Sequence, residues 1–485
     1  MSKSIPVETE PGALAATAHD PAARWVLATL SLCVLLSSLG TSIANIALPT
    51  LARSFNASFQ AVQWVVLAYL LAITSLIVAI GRLGDIIGRR RLLLGGILVF
   101  TVASGLCGLS PTLGLLIAAR GLQGLGASIM LALTLAFVGD TVPKAKTGSA
   151  MGWLGSMSAI GTSLGPSLGG ALIASPGWRA IFLVNLPLGL LTLWLARRYL
   201  PMDRTRTVTA GPGFDRAGTV LLGLTLAAYA FALTTGPGRF GLINLALLLV
   251  AVGGAWLFTI VELKAAAPLI GLARFRDPGL CTSLAMSALV STVMMATLVV
   301  GPFYLSHALG LSAPLVGLIM SVGPVVTALT GVPAGCLADR VGARRMTQIG
   351  LSGIAAGCLC LSLAPMTFGI PGYLAPIIIC TVGYGLFQTA NHTAVMAGVA
   401  PDQRGVTSGL LNLSRNLGLI TGASMMGALF AAASGGTNPG AVGPEAVGTG
   451  MRSTFAVAAI LAGLSMVLPG ASRILAAPPV AAAAD

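Results

Sequence analysis

Charge is what this chain has least of. Only 8% of its residues are Asp, Glu, Lys or Arg, where a water-soluble domain carries roughly a quarter. That scarcity excludes an ordinary soluble protein and leaves lipid as the solvent for most of the exterior. Acids are the scarcer sign, 13 against 27 bases, and each lies in a tail, a loop or a helix end rather than mid-run. The seven cysteines, Cys33, Cys107, Cys281, Cys336, Cys358, Cys360 and Cys380, show no metal-ligand spacing and no disulfide framework, so they read as small apolar residues and no metal is expected. There is no GxxxxGK[ST] loop, which disfavours ATP-driven work, and no nucleophile–base pairing, which disfavours an enzyme. No cofactor is implied. A membrane sensor is disfavoured too, because no sizeable soluble output segment is present.

What is abundant is apolar sequence, 56% of the chain. A span needs about 20 mostly apolar residues to cross the hydrocarbon layer. Runs of that kind fall at 24–49, 62–83, 92–110, 112–138, 147–174, 180–200, 217–236, 240–261, 280–308, 312–334, 345–365, 371–398, 405–433 and 451–474. The expected fold class is therefore an all-α polytopic membrane protein with about fourteen spans. Residues 1–23 hold Glu8, Glu10, Asp20 and three prolines without an apolar core. They read as a cytoplasmic tail rather than a cleavable signal, and 475–485 as a second such tail.

The net charge of +14 does not point to nucleic acid, since the bases form short clusters between apolar runs. With the N-terminus inside, Arg82, Arg89–Arg91, Lys144, Lys146, Arg197, Arg198, Arg204, Arg206, Arg216, Lys264, Arg274, Arg276, Arg340, Arg344, Arg345, Arg404 and Arg473 all fall on one side. Arg53, Arg179, Arg239 and Arg452 fall on the other. This bias places both termini in the cytoplasm.

The chain also repeats itself. Residues 81–91 read GRLGDIIGRRR and residues 335–345 read GCLADRVGARR, each after the second helix of a six-helix block. The implied organisation is a bundle at 24–200, loops with two inserted spans at 201–279, and a second bundle at 280–474. Parallel halves of this kind occur in secondary transporters.

Three motifs carry chemistry. Gly81, Asp85, Gly88, Arg89 and Arg90, with a weaker copy at Gly335, Asp339, Gly342 and Arg344, combine turn glycines with a carboxylate and bases able to form a charge-and-dipole latch. Arg120, in LIAARGLQGLGA at 116–127, sits near mid-membrane. A guanidinium there costs at least ~2.5–3.5 kcal/mol, so it is expected to face a polar cavity, with Gln123 nearby. Gly161, Gly165 and Gly169, within GTSLGPSLGG at 161–170, recur every four residues and make one smooth face for close packing, while Pro166 favours a bend.

These residues, over most of the chain, resemble the major facilitator superfamily, and within it the fourteen-span drug:proton antiporter branch. The resemblance implies small-molecule or drug export across the cytoplasmic (inner) membrane by alternating access, with protons as the coupling ion, and a monomer. It implies a cytoplasmic gate at the repeated glycine–acid–base motif, proton or substrate coupling at Arg120, and an antiporter motif at Gly161 to Gly170. The other readings are a dedicated metabolite exporter or an uptake carrier of the same fold.

One departure matters. The branch usually opens its first span with an acid, in a motif close to L-D-x-T-I-V-N-V-A-L-P; here 39–49 reads LGTSIANIALP, with Gly40 in the acid's place. A buried carboxylate that titrates near neutrality is thus missing, as is a negative partner for a cationic drug. Cavity-facing candidates are basic or neutral: Arg120, Arg415, Asn45, Asn412, Asn416, Gln123 and Gln388. Neutral or anionic substrates are expected. Coupling would then fall to Asp85, Asp339, or a histidine, His392 or His307. Met294, Met295, Met396, Met425 and Met426 are candidates for an adaptable pocket wall, though mostly ordinary packing.

Overall fold

The computed structural model describes residues 21–141, 147–175, 177–203, 216–234, 241–265, 275, 277–397, 404–435 and 443–476. Residues 1–20 and 477–485 of the expected tails and the basic residues Lys144, Lys146, Arg204, Arg206, Arg239, Arg274 and Arg276 lie outside these, while 21–23 begin α1 and 475–476 end α16. Helices fill nearly all of it, and no strand occurs among the described residues. Lipid allows nothing else but closed barrels, because a spanning backbone must satisfy its own polar groups.

The helices are α1 (Pro21–Ser54), α2 (Phe59–Ile87), α3 (Arg89–Leu109), α4 (Leu113–Thr141), α5 (Thr147–Ala174), α6 (Ala180–Leu183), α7 (Asn185–Tyr199), α8 (Arg216–Thr234), α9 (Leu242–Lys264), α10 (Pro278–Phe303), α11 (Ala313–Val341), α12 (Ala343–Leu363), α13 (Gly369–Ala397), α14 (Arg404–Thr421), α15 (Gly427–Ala433) and α16 (Pro444–Ala476). The apolar run at 180–200 is split between α6 and α7. A π-helical turn, Tyr304–Ala308, extends α10, and another, Gly422–Met426, joins α14 to α15. Twelve helices among the described residues are long and apolar enough to cross a membrane. The two long helices outside that set are α5 and α11, which carry glycine-rich or proline-bearing packing faces.

The sequence repeat has a backbone counterpart. Gly88 (φ 104°) alone separates α2 from α3, and Gly342 (φ 84°) alone separates α11 from α12. Both occupy the region that side chains rarely adopt, so a one-residue reversal demands glycine at each. The packing repeats as well. In the first half α1 lies on α5, α3 on α4, and α2 on α4; in the second α10 lies on α14, α12 on α13, and α11 on α13. α8 and α9 pair with each other, and α8 rests on α2. Only 17% of the apolar window of α9 is buried, so Leu242, Ile243, Trp256 and Leu263 face lipid.

Helix packing here works by backbone approach. An ideal Cβ on Gly126 of α4 would lie 2.5 Å from the Phe100 nitrogen and 2.8 Å from the Gly96 carbonyl of α3. One on Gly350 of α12 would lie 2.6 Å from the Phe387 nitrogen of α13. Small residues at such crossings let van der Waals contact hold helices that the hydrophobic effect cannot. Gly126→Ala is therefore expected to destabilise the protein by about 1–3 kcal/mol. Gly121→Ala, which would meet nothing within 4 Å, should be neutral or stabilising. Thermal unfolding of the two variants in one detergent checks the contrast.

Candidate functional site

A cavity of ≈330 Å³ lies between the two halves. The first half contributes Ser38 and Thr41 of α1 with Ser158 and Thr162 of α5. The second contributes residues of α10, α11, α13 and α14, among them Met294, Tyr373, Tyr384, Gln388 and Arg415. Arg415 is the only charged side chain of the described lining, and its Nε is buried without a hydrogen-bond partner. Along α13 the wall runs Tyr373, Ile377, Cys380, Thr381, Tyr384 and Gln388, the spacing of one helical face. His392 continues that face one turn on. It is half-buried and within electrostatic reach of Arg415.

The halves meet at the sparsely charged end. A Cβ on Gly317 of α11 would lie 2.2 Å from the Pro166 carbonyl of α5, and one on Gly170 would lie 2.6 Å from the Ala313 carbonyl. On the opposite seam, Gln63 Nε2 of α2 donates to the Ala423 carbonyl at 2.9 Å, inside the π-helical turn. A π turn departs from the regular ladder, and here it offers a carbonyl to the other half. Phe59 of α2 stacks edge-on to Phe303 (4.6 Å between centroids) and lies 5.4 Å from Phe430. His307 stacks on Phe303 and pairs with Ser306 Oγ at 2.9 Å, so it belongs to this seal rather than to the cavity.

The glycine face of α5 packs on α1. Cβ atoms at Gly161, Gly165 and Gly169 would meet the Leu35 carbonyl, Ser42 and Ile46 at 2.6 Å or less, and Ser42 Oγ donates to the Gly161 carbonyl at 3.3 Å. Gly170 and Pro166 turn instead to α11.

Arg120 departs from expectation. It is fully buried within the first half and is not on the cavity wall. Its Nε donates to the Val65 carbonyl at 2.8 Å and NH1 to Gln123 Oε1 at 2.6 Å, and its guanidinium lies 4.1 Å from the Tyr69 ring centroid. Gln123 in turn donates to Ser104 Oγ at 2.7 Å. Charge-assisted bonds and the aromatic face replace part of the lost water, while NH2 is buried without a hydrogen-bond partner. Asn45 is also buried off the wall, its Nδ2 donating to the Thr41 carbonyl. Asn412 is half-buried and Asn416 buried on α14; neither lines the cavity. Met295 and Met426 are core, Met396 packs in a side cluster, Met425 is exposed, and Met294 alone of the five lines the cavity.

At the basic end the side chains of Gly81, Asp85, Gly335 and Asp339 lie outside the described residues. What is described there is an acid that the motif did not contain. Asp203, following α7, accepts from the Arg90 and Arg91 backbone N–H groups at 2.8 and 3.2 Å. A carboxylate at that helix N-terminus is stabilising. Arg90 also donates to the Arg197 carbonyl, and Arg89 to the Ala136 carbonyl. In the second copy Arg344 and Gly342 are exposed. Asp203 and the cavity tyrosines were the residues missed from sequence. For the tyrosines a signal existed, since the chain has only six and a hydroxyl inside an apolar run seeks a partner or a cavity.

The chain matches the family model described as Major Facilitator Superfamily over residues 30–423 and 284–484. It is 31% identical to the multidrug efflux pump LfrA of Mycolicibacterium smegmatis, covering 92% of this chain and 89% of that one. It is 32% identical to the multidrug resistance protein Stp of Mycobacterium tuberculosis (80% and 72%) and 29% identical to the riboflavin transporter RibZ of Clostridioides difficile (84% and 88%). Its fold resembles the inward-facing, unoccupied structure of a bacterial homologue of the human lysosomal transporter Spinster, with TM-score 0.69 at 17% identity, covering 94% of this chain and 98% of that one.

The Arg120 network yields a stability test. Gln123→Leu removes one partner of a buried cation and should cost about 1–3 kcal/mol, whereas Gln123→Glu keeps an acceptor and should be tolerated. Equal thermal stability of the two variants would refute the dependence.

Proposed function

Because the chain belongs to the major facilitator superfamily and is a membrane transporter rather than an enzyme, we propose that it exports small organic molecules, drugs among them, by alternating access and proton antiport. The observation that carries this is the cavity at the seam of the two halves, with walls from both, adjoining a seal made by α5 on α11. Both walls come from one polypeptide, so a monomer suffices. With all fourteen helical rods spanning the cytoplasmic membrane and the basic end inside, the sealed end is the outer one, and the cavity belongs to the inward-facing state.

The glycines at 170 and 317 allow that seal, and separating α5 from α11 would open the cavity outward. The latch at Gly88, Arg89 and Arg90, and its copy at Gly342 and Arg344, would act on the inner side. In the absence of an acid at position 40, His392 is the titratable group that continues the cavity face of α13, and we assign it the proton. Arg120 acts by holding α2, α3 and α4 in register rather than by touching substrate. RibZ favours a second reading, a carrier dedicated to one metabolite.

The test is dye accumulation in everted vesicles. Accumulation should require the pH gradient, fall when nigericin collapses it, and be lost in Gly170→Leu, whose side chain the α5–α11 contact cannot accept. Transport indifferent to the gradient would remove proton antiport from the reading.

A further inference from the structure

The hydroxyl groups around the cavity are not equivalent donors. Thr41 and Thr162 each donate to a carbonyl of their own helix, Ser37 and Ser158 respectively. Ser38 and Ser158 bond each other at 2.8 Å, which leaves one free proton between them. The wall from α1 and α5 therefore offers lone pairs and almost no protons. Thr297, Thr327 and Thr381 of the second half are spent in the same way.

The unspent donors are spread along the other wall. Tyr373, Tyr384 and Gln388 of α13 and Arg415 of α14 line the cavity, and Tyr373 is only 2% exposed. The buried, unpartnered Nε of Arg415 marks a position where a ligand would complete the set. A guanidinium on a wall that also carries phenolic and amide donors, with no carboxylate in the described lining, matches an oxyanion rather than a cation. The opposite wall matches N–H or O–H groups. At ≈330 Å³ the space suits one small organic molecule, at the lower end of the ~300–1,000 Å³ common for such sites.

From this donor–acceptor split we infer that the cavity binds small molecules bearing an anionic oxygen group, such as a carboxylate or an acidic phenol. The anion is held by Arg415 on the second half, and the neutral, hydrogen-donating end lies against the hydroxyls of α1 and α5. The inference rests on the exporter reading for its setting but concerns only what the cavity recognises. It makes the two halves unequal: the second selects for charge, the first for hydrogen-bond direction.

The experiment uses the full chain with dyes that share one ring frame: fluorescein, which is anionic, and rhodamine 123, a cation whose carboxyl is esterified. Binding is read on purified protein by fluorescence anisotropy, and transport in everted vesicles. Fluorescein should bind roughly ten-fold or more tightly than rhodamine 123. Arg415→Gln should erase that difference by weakening fluorescein alone, and Arg415→Lys should recover part of it. If Arg415→Gln fails to fold, Tyr384→Phe and Gln388→Leu report on the same wall and should each weaken fluorescein more than rhodamine 123. Equal binding of the two dyes by the native chain, or equal loss for both in these variants, overturns the inference. Binding of fluorescein through Arg415 without accumulation in vesicles would sink the exporter reading and leave this one standing. Accumulation indifferent to dye charge and to Arg415 would do the reverse.

Discussion

Helices in lipid gain little from pressing one apolar face against another, so their association depends on how closely their backbones can approach. In this chain α5 makes the approach twice. Its Gly161, Gly165 and Gly169 lie on α1 and bind it into its own half, while Pro166 and Gly170 lie on α11 and join the halves. The cavity opens between the same helices, at Ser158 and Thr162. A larger side chain on either face would move the cavity wall as well as loosen the bundle.

The second constraint is a buried charge whose described partners include no acid. Arg120 is enclosed by α2, α3 and α4 and is held by a carbonyl at Nε, an amide at NH1 and an aromatic ring, with NH2 left without a hydrogen-bond partner. Gly40 belongs to the same arrangement. A Cβ there would lie 3.0 Å from Tyr69 Oη, and that hydroxyl donates to the Ser37 carbonyl at 2.8 Å. The space an acid would take at position 40 is filled by Tyr69. Tyr69 thus meets Gly40 with its hydroxyl and the Arg120 guanidinium with its ring face.

How much of this could be read in advance varies with the physics involved. Helix positions were legible because lipid demands long apolar runs, and the repeat because Gly88 and Gly342 each make a reversal that only glycine makes easily. The face formed by Gly161, Gly165 and Gly169 was legible from its spacing. The direction in which Arg120 points was not: α4 is apolar nearly all round, so its sequence sets the depth of a residue but not its rotation about the axis. The spent hydroxyls were hidden for a related reason. A serine or threonine in a span reads as a donor, yet its proton usually returns to its own backbone. Asp203 was hidden because it reaches α3 from a segment more than a hundred residues further along the chain.

The inserted pair has a mechanical meaning. α8 rests on α2 of the first half, where Phe231 lies 4.1 Å from Trp64, and its Tyr229 hydroxyl donates to Thr421 of the second at 3.2 Å. A strut that touches two bodies cannot keep both contacts once they turn against each other. Leu222 and Leu226 of α8 and Phe258 of α9 also share an apolar cluster with Leu280 and Leu284 of α10 and Leu410 and Leu411 of α14, so the pair is anchored to both halves. One seam of the molecule is therefore braced from outside by added helices, while the other is closed by the close backbone approach of α5 and α11 at Gly170 and Gly317.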